Sequence, residues 1–294
     1  MQDFAYHAPP TVAEAIALFA ADQEGSRYLA GGTDLFLALE HGSSAVRSVI
    51  DLKAIPGLDG IAVQPDGGHR LGALLPMDDL MRDRAIRTNY RALAESAEVV
   101  GGPPIRNRAT LGGNLCNASP AADTAVPLVA FMAMAVLSSA SGGRAIPVVR
   151  LWEAPGRTVL RPGELMTAIE LPPPLPASAS TFERLTRSAM DIALLSASAV
   201  ISLNDDGTCR LVTLALGAVA PTVISIPEAG VVLRDTNCDD AALARVVKAV
   251  IETVRPIDDI RASAEYRREM AGVLAKRALA RAYAIAIEPA GITR

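Results

Sequence analysis

Cysteine is scarce in this chain of 294 residues: Cys116, Cys209 and Cys238 are the only three. No two form a CxxC pair, so neither a zinc knuckle nor an iron–sulfur cluster held by this chain alone is supported. An odd, widely spaced set in a large apolar chain argues against a disulfide framework and points to a reducing compartment. Aromatic residues make up 4% of the chain, too few for a set of base-stacking platforms. Positive charge is not in excess. With a net charge of −4 and no Lys/Arg run, the chain has no evident basic face to neutralise nucleic-acid phosphates. Long hydrophobic stretches are also missing. The longest apolar run, residues 125–137, is interrupted by Pro127 and falls short of the roughly 20 residues that span a bilayer. It reads as a buried helix. The opening segment, MQDFAYHAPP, has no basic stretch and no apolar core of a secretory signal. These absences predict a cytoplasmic protein with no membrane span and no nucleic-acid partner. His7, His41 and His69 stand singly, which supports neither a metal site nor a nucleophilic triad.

Half of the residues are hydrophobic and 20% are charged, enough for a sizeable core. The length suits two domains of roughly 100–200 residues each. Thr11 and Glu14 form a capping-box pattern for a helix that runs to about residue 21. Strands are expected over 27–30, 46–52 and 70–74, and helices over 35–39, 77–83 and 87–100. Pro172, Pro173 and Pro174 can neither donate to a ladder nor continue a helix, so a domain boundary is expected at 176/177. Beyond it, strands are expected over 182–186, 195–203, 209–219 and 230–233, with a hairpin turn at 204–207. Helices over 240–254 and 263–287 follow. Strands first and helices last suggest an α+β layer, an antiparallel sheet with helices on one face.

Two glycine-rich loops carry the candidate chemistry. The first is Leu29, Ala30, Gly31, Gly32, Thr33, Asp34 and Leu35. Without Cβ atoms, Gly31 and Gly32 can take positive φ and let the backbone approach a ligand. Amides at a strand–loop–helix junction suit an anion such as a pyrophosphate. A plain strand-to-helix turn with a helix cap accounts for the same residues. The second loop is Thr110, Leu111, Gly112, Gly113 and Asn114, inside a long polar segment between two apolar helices. Such a segment in a compact domain is usually functional, though an irregular connection capped by Ser119 and Asp123 is the competing reading. Neither loop is GxGxxG or a Walker A sequence. Two such loops, about 80 residues apart, suit a ligand with an extended diphosphate. Valine at Gly32 or Gly113 is expected to abolish that grip while leaving the fold largely intact.

In order along the chain, these loops are followed by Arg161–Glu164, Ile169–Pro172, Met190–Ala193, Ala215–Pro221 and Asp259–Arg267. With them the sequence resembles the FAD-binding, medium subunit of the molybdenum hydroxylase (xanthine dehydrogenase) family, in its carbon monoxide dehydrogenase medium-subunit form. The resemblance covers nearly the whole chain. It implies a two-part FAD-binding domain of the vanillyl-alcohol-oxidase/p-cresol-methylhydroxylase type over 1–176. A smaller α+β domain over 177–294 would follow. It implies that residues 29–35 and 110–114 clamp the FAD pyrophosphate and ribityl chain, largely through main-chain amides. Asp123 would contact the adenosine side, Met166 the adenine, and Asp191 with Ile192 would lie near the isoalloxazine. Arg184 or Glu183 would stand where the family often has lysine. For Asp123, a cap on the helix from residue 125 stays open; for Asp191, a turn cap does. Arg106 and Arg108 could equally be solvated charges or subunit contacts. No catalytic acid or base on this chain is implied.

The family further implies a large molybdopterin subunit and a small subunit with two [2Fe–2S] clusters, in a dimer of heterotrimers, and an external electron acceptor. This chain lacks the cysteine-bound cluster insertion of the benzoyl-CoA reductase branch. It also has no His or Cys in the first loop for a covalent flavin bond, so dissociable FAD is expected. A stand-alone flavin oxidoreductase and a flavin-free assembly subunit are the alternatives.

Overall fold

The structure, a computed structural model, describes residues 3–40 and 46–288. His41 lies outside the described residues. The chain begins with a parallel sheet of three short strands. Ser48–Asp51 runs in its centre, between Ala5–His7 and Ser26–Leu29. The helix Val12–Ala21 makes the crossover, and the Thr11 hydroxyl caps it by accepting from the Glu14 amide at 3.2 Å. A five-stranded antiparallel sheet follows in the order Ile61–Val63, His69–Gly72, Leu165–Leu171, Met134–Ser139, Gly142–Pro147. Short helices between its strands pack on it and share a core of Leu71, Leu93, Leu111, Leu128 and Ile169. The first half is therefore built in two parts, and the cleft described below lies where they meet.

The second half is a four-stranded antiparallel sheet, Ser178–Leu185, Leu195–Leu203, Cys209–Gly217, Ile224–Ser225. Three helices follow its strands: Pro227–Leu233, Asp240–Thr253 and Ala264–Ile287. Leu195–Leu203 is buried on both faces. Leu195, Ala197, Ala199 and Ile201 enter the core beneath these helices. The alternate positions face the other way, as the period-2 pleat requires. Among them Val200, with Phe182 and Ala215 from neighbouring strands, joins the core of the first half. Helices of both halves thus cover the sheet, one set on each face, in an α+β fold.

Four local expectations change. Residues 230–233 end a helix, Pro227–Leu233, not a strand. Pro227 at its first position was the missed sign, since proline is pre-organised for a helix start. The apolar run from Ala125 is helical only to Ala130. The chain turns at Met132 (φ 57) and continues as the strand Met134–Ser139. The expected helix 87–100 is two, Arg84–Asn89 and Arg91–Glu98, because Tyr90 leaves helical geometry at φ −132, ψ 47. The Tyr90 ring is wholly buried and its hydroxyl donates to Pro172 O at 2.7 Å. That tertiary anchor overrides helical continuity. The strands Gly142–Pro147 and Leu165–Leu171 were not anticipated.

Candidate functional site: a cleft between two glycine loops

The first loop leaves the strand Ser26–Leu29 and enters the helix Leu35–Glu40. Gly31 is pressed against the second loop: a Cβ there would lie 1.9 Å from Arg108 O. Gly32 has φ +84. Among the described residues, the amides of Gly31, Gly32, Thr33, Asp34 and Leu35 donate to no protein acceptor. Five consecutive unused amides at one turn are ready donors for an anion.

The second loop is not the same device. Its residues form a short helix, Leu111–Cys116, capped by Thr110. The amides are already used: Leu111 N donates to Leu75 O (2.9 Å), Gly112 N to Ala73 O (2.8 Å) and Asn114 N to Thr110 O (2.9 Å). Gly113 N donates to Thr110 Oγ1 at 3.2 Å. The expectation of a second amide cradle is therefore corrected, because neighbouring carbonyls consume its donors. The loop keeps a bare Cα at Gly113, whose missing Cβ would point toward Ala30 at 3.8 Å. It also keeps the Asn114 side-chain amide, whose Oδ1 accepts from Thr124 Oγ1 at 2.7 Å. Asn117 Nδ2 donates to Asp34 Oδ1 at 3.3 Å and ties the two loops together.

Between the loops opens a cleft of about 930 Å³, near the upper end of the range for ligand sites. Ala30 through Leu35, Thr110, Gly112, Gly113, Asn114, Asp123, Met166, Arg184 and Asp191 all line it. Leu29 and Leu111 do not; both side chains are buried in core clusters. Tyr28, Ile105, Cys116 and Leu160 line the cleft but carried no recognisable signal, and Glu164, at the end of the Arg161–Glu164 segment, lines it too. Glu164 is held by both Arg144 nitrogens, at 2.7 and 2.8 Å, and by the Arg161 amide. That pairing keeps its carboxyl below the ordinary range.

Asp123 and Arg184 come from different halves of the chain and meet in the cleft wall, Arg184 Nε lying 3.0 Å from Asp123 Oδ1. Burial pushes the Asp123 carboxyl up to about 7, against the opposing pull of Arg184. The two atoms are at ion-pair distance but not aligned for a hydrogen bond, so both are buried without one. Asp123 does not cap the helix Ala125–Ala130, whose N-cap is Thr124. Arg184 also donates through Nη2 to Asp191 O at 2.5 Å. The Asp191 carboxylate pairs with Arg187 at 2.8 Å, which holds it below its ordinary value. Met190 reaches back over the cleft mouth, with its methyl 3.3 Å from where a Cβ on Gly102 would stand. Arg106 is no free surface charge. It donates to Gly101 O at 3.0 Å, closing the end of the preceding helix.

Residues 2–174 match the family model described as the FAD binding domain in molybdopterin dehydrogenase. Residues 180–282 match the CO dehydrogenase flavoprotein C-terminal domain. The chain belongs to this flavoprotein family, the FAD-binding subunits of molybdenum hydroxylases. The flavoprotein is 33% identical to the putative xanthine dehydrogenase FAD-binding subunit of Escherichia coli K12, over 97% of this chain and 98% of that one. It is 31% identical to the carbon monoxide dehydrogenase medium chain of Afipia carboxidovorans, over 96% and 97%. Its fold superposes on carbon monoxide dehydrogenase from Oligotropha carboxidovorans with a TM-score of 0.92 at 31% identity, covering 96% and 98% of the two chains. FAD is the cofactor of the flavoprotein, and the cleft suits one. Unused amides and a bare glycine line it, and unaligned buried polar atoms stand in its wall.

Proposed function

We propose that this chain is the electron-relay subunit of a molybdenum hydroxylase complex, holding FAD in the cleft between residues 29–35 and 110–114. The five free amides of Gly31–Leu35 carry this reading, since they belong to residues that line a dinucleotide-sized cleft and are donors without acceptors among the described residues. They would take the diphosphate, while Gly113 leaves room for it and Asn114 donates from its side chain. Arg184 and Asp123 would close one wall around the ribityl and adenosine groups. Met166 would pack on the adenine, and Asp191 with Ile192 would border the isoalloxazine. The bound flavin would supply the redox chemistry, taking electrons from two [2Fe–2S] clusters of a small subunit fed by a large molybdopterin subunit, and handing them to an external acceptor such as NAD⁺, a quinone or O₂. This chain's own part is to bind and orient; no acid or base on it is assigned a proton transfer. A dimer of heterotrimers in the cytoplasm is the proposed assembly, with the domain boundary at 176/177.

The test is an absorbance scan of the purified chain, before and after adding FAD. Paired near-ultraviolet and blue bands at one flavin per chain are expected. A colourless protein that also rejects added FAD would defeat the reading. Bleaching by an organic substrate without any partner subunit would favour a stand-alone oxidoreductase.

A further inference from the structure

Cys209 and Cys238 stand about 30 positions apart in the sequence, yet the fold brings them together. Cys209 begins the strand Cys209–Gly217, and Cys238 lies just ahead of the helix Asp240–Thr253. Both are free thiols in the second core, Cys209 wholly buried and Cys238 at 7% exposure. Burial by itself says little, because cysteine packs as a small hydrophobe. The backbone around them says more. Cys209 N donates to Thr236 O at 2.9 Å, and Asp235 N donates to Cys209 O at 2.8 Å. The chain then turns back on itself: Asp235 and Cys238 both hold left-handed backbone, at φ 56 and 52. Cys238 N is fastened to Thr236 Oγ1 at 3.3 Å. Non-glycine residues keep that conformation only where the surroundings impose it. Here it brings Cys238 back beside the start of the Cys209 strand, where both side chains enter one core cluster and each thiol shifts the titration of the other.

We propose that Cys209 and Cys238 are a modification site, a buried dithiol that closes to a reversible intrachain disulfide under peroxide. Two segments locked together by main-chain hydrogen bonds, with both cysteines in the same core cluster, hold the thiols close enough for such a bond. The neighbouring Cys238 holds the Cys209 thiol below its ordinary value, while Cys209 and burial push Cys238 up, so Cys209 loses its proton first. Its thiolate attacks one oxygen of hydrogen peroxide. The O–O bond breaks, leaving a sulfenic acid on Cys209 and hydroxide, which takes up the proton that Cys209 released. Cys238 then attacks the Cys209 sulfur, the S–S bond forms, and the hydroxyl leaves as water with the Cys238 proton. Two electrons pass from the sulfur pair to the peroxide, which ends as two waters. The bond ties the start of the strand Cys209–Gly217 to the start of the helix layer, and neither cysteine lines the flavin cleft.

The experiment treats the full chain, and its Cys116→Ser variant, with hydrogen peroxide, then unfolds it and maps it by mass spectrometry. Cys116 is exposed and removing it silences the one competing thiol. A loss of two mass units is expected, with a cross-link joining the Cys209 and Cys238 peptides, no titratable thiol in the variant, and full reversal by dithiothreitol. The unfolding midpoint should rise by about 5 °C on oxidation. Two thiols still titratable after unfolding, or separate sulfinic acids on Cys209 and Cys238, would overturn the proposal.

Discussion

At Gly31 and Gly113 the same missing Cβ serves different ends. A methyl at Gly31 would strike Arg108 O, which is main chain and cannot swing aside. Gly31→Ala should therefore loosen the docking of one loop on the other and lower apo-protein stability by about 2 kcal/mol. A methyl at Gly113 would crowd Thr110 Oγ1 at 2.8 Å, the end of a rotatable side chain, and reach ordinary contact with Ala30 of the other loop at 3.8 Å. Gly113→Ala should cost about 1 kcal/mol or less, yet weaken FAD retention about tenfold or more, because it fills the space between the loops. Urea unfolding of the apo-protein and flavin titration of each variant separate the two effects. Equal flavin affinity in Gly113→Ala would sink the assignment. Gly32 now stands with Gly31. Its φ of +84 and its nearness to the Phe36 ring mean that valine there strains the fold itself, by about 1–2 kcal/mol, contrary to the expectation from sequence.

Asp123 offers a pH test at the same scale. Its folded carboxyl titrates at about 7, whereas an unfolded aspartate titrates near 4. Between these values the folded chain keeps a proton that the unfolded chain has released. This contribution to stability is therefore whole below about pH 4, declines as pH rises through the window, and is gone above about 7. Asp123→Asn removes the titration. The stability difference between wild type and variant should shift against the wild type by on the order of 1–3 kcal/mol from pH 4.5 to 8. Parallel pH profiles in urea unfolding would contradict it.

Through Arg281 the long helix Ala264–Ile287 acts as a clamp between the halves. Its guanidinium pairs with Glu95 on the helix Arg91–Glu98 and with Glu183 at 3.0 Å on the strand Ser178–Leu185. Glu95 in turn accepts from the Phe182 amide at 3.1 Å and pairs with Arg91 at 2.8 Å. Arg281→Ala should lower the unfolding free energy by about 1 kcal/mol, a modest figure because the side chain is 37% exposed and screened. Glu95→Ala should cost more, since it also leaves the Phe182 amide without its acceptor. A double-mutant cycle on the two gives the coupling; additive losses would mean that the clamp is not one unit.

Over the whole molecule, the second sheet depends on the first half for its inner face. Phe182, Val200 and Ala215 complete a core whose other members, such as Leu93 and Leu128, come from the first half. A fragment of residues 177–294 alone should expose that face, bind a hydrophobic dye and self-associate. A monodisperse fragment with native thermal unfolding would show that the halves fold independently. The same dependence places Arg184 beside Asp123, so the cleft is a property of the intact chain.

Much of the molecule was legible from local chemistry. The cap at Thr11, the turn at Asn204–Gly207 and the strand-to-helix turn of the first glycine loop are short-range patterns, and each occurs where it was expected. What a sequence cannot display is which distant group meets a local one. The amides of Leu111 and Gly112 looked available until the carbonyls of Leu75 and Ala73 claimed them. The helix broke at Tyr90 because a remote carbonyl, Pro172 O, held its hydroxyl. Asp123 met Arg184, and Cys209 met Cys238, only across chain reversals set by packing. Residue identity settled which donors, glycines and caps exist. Tertiary structure decided which donors stay unspent, because a hydrogen bond belongs to two partners and only folding supplies the second.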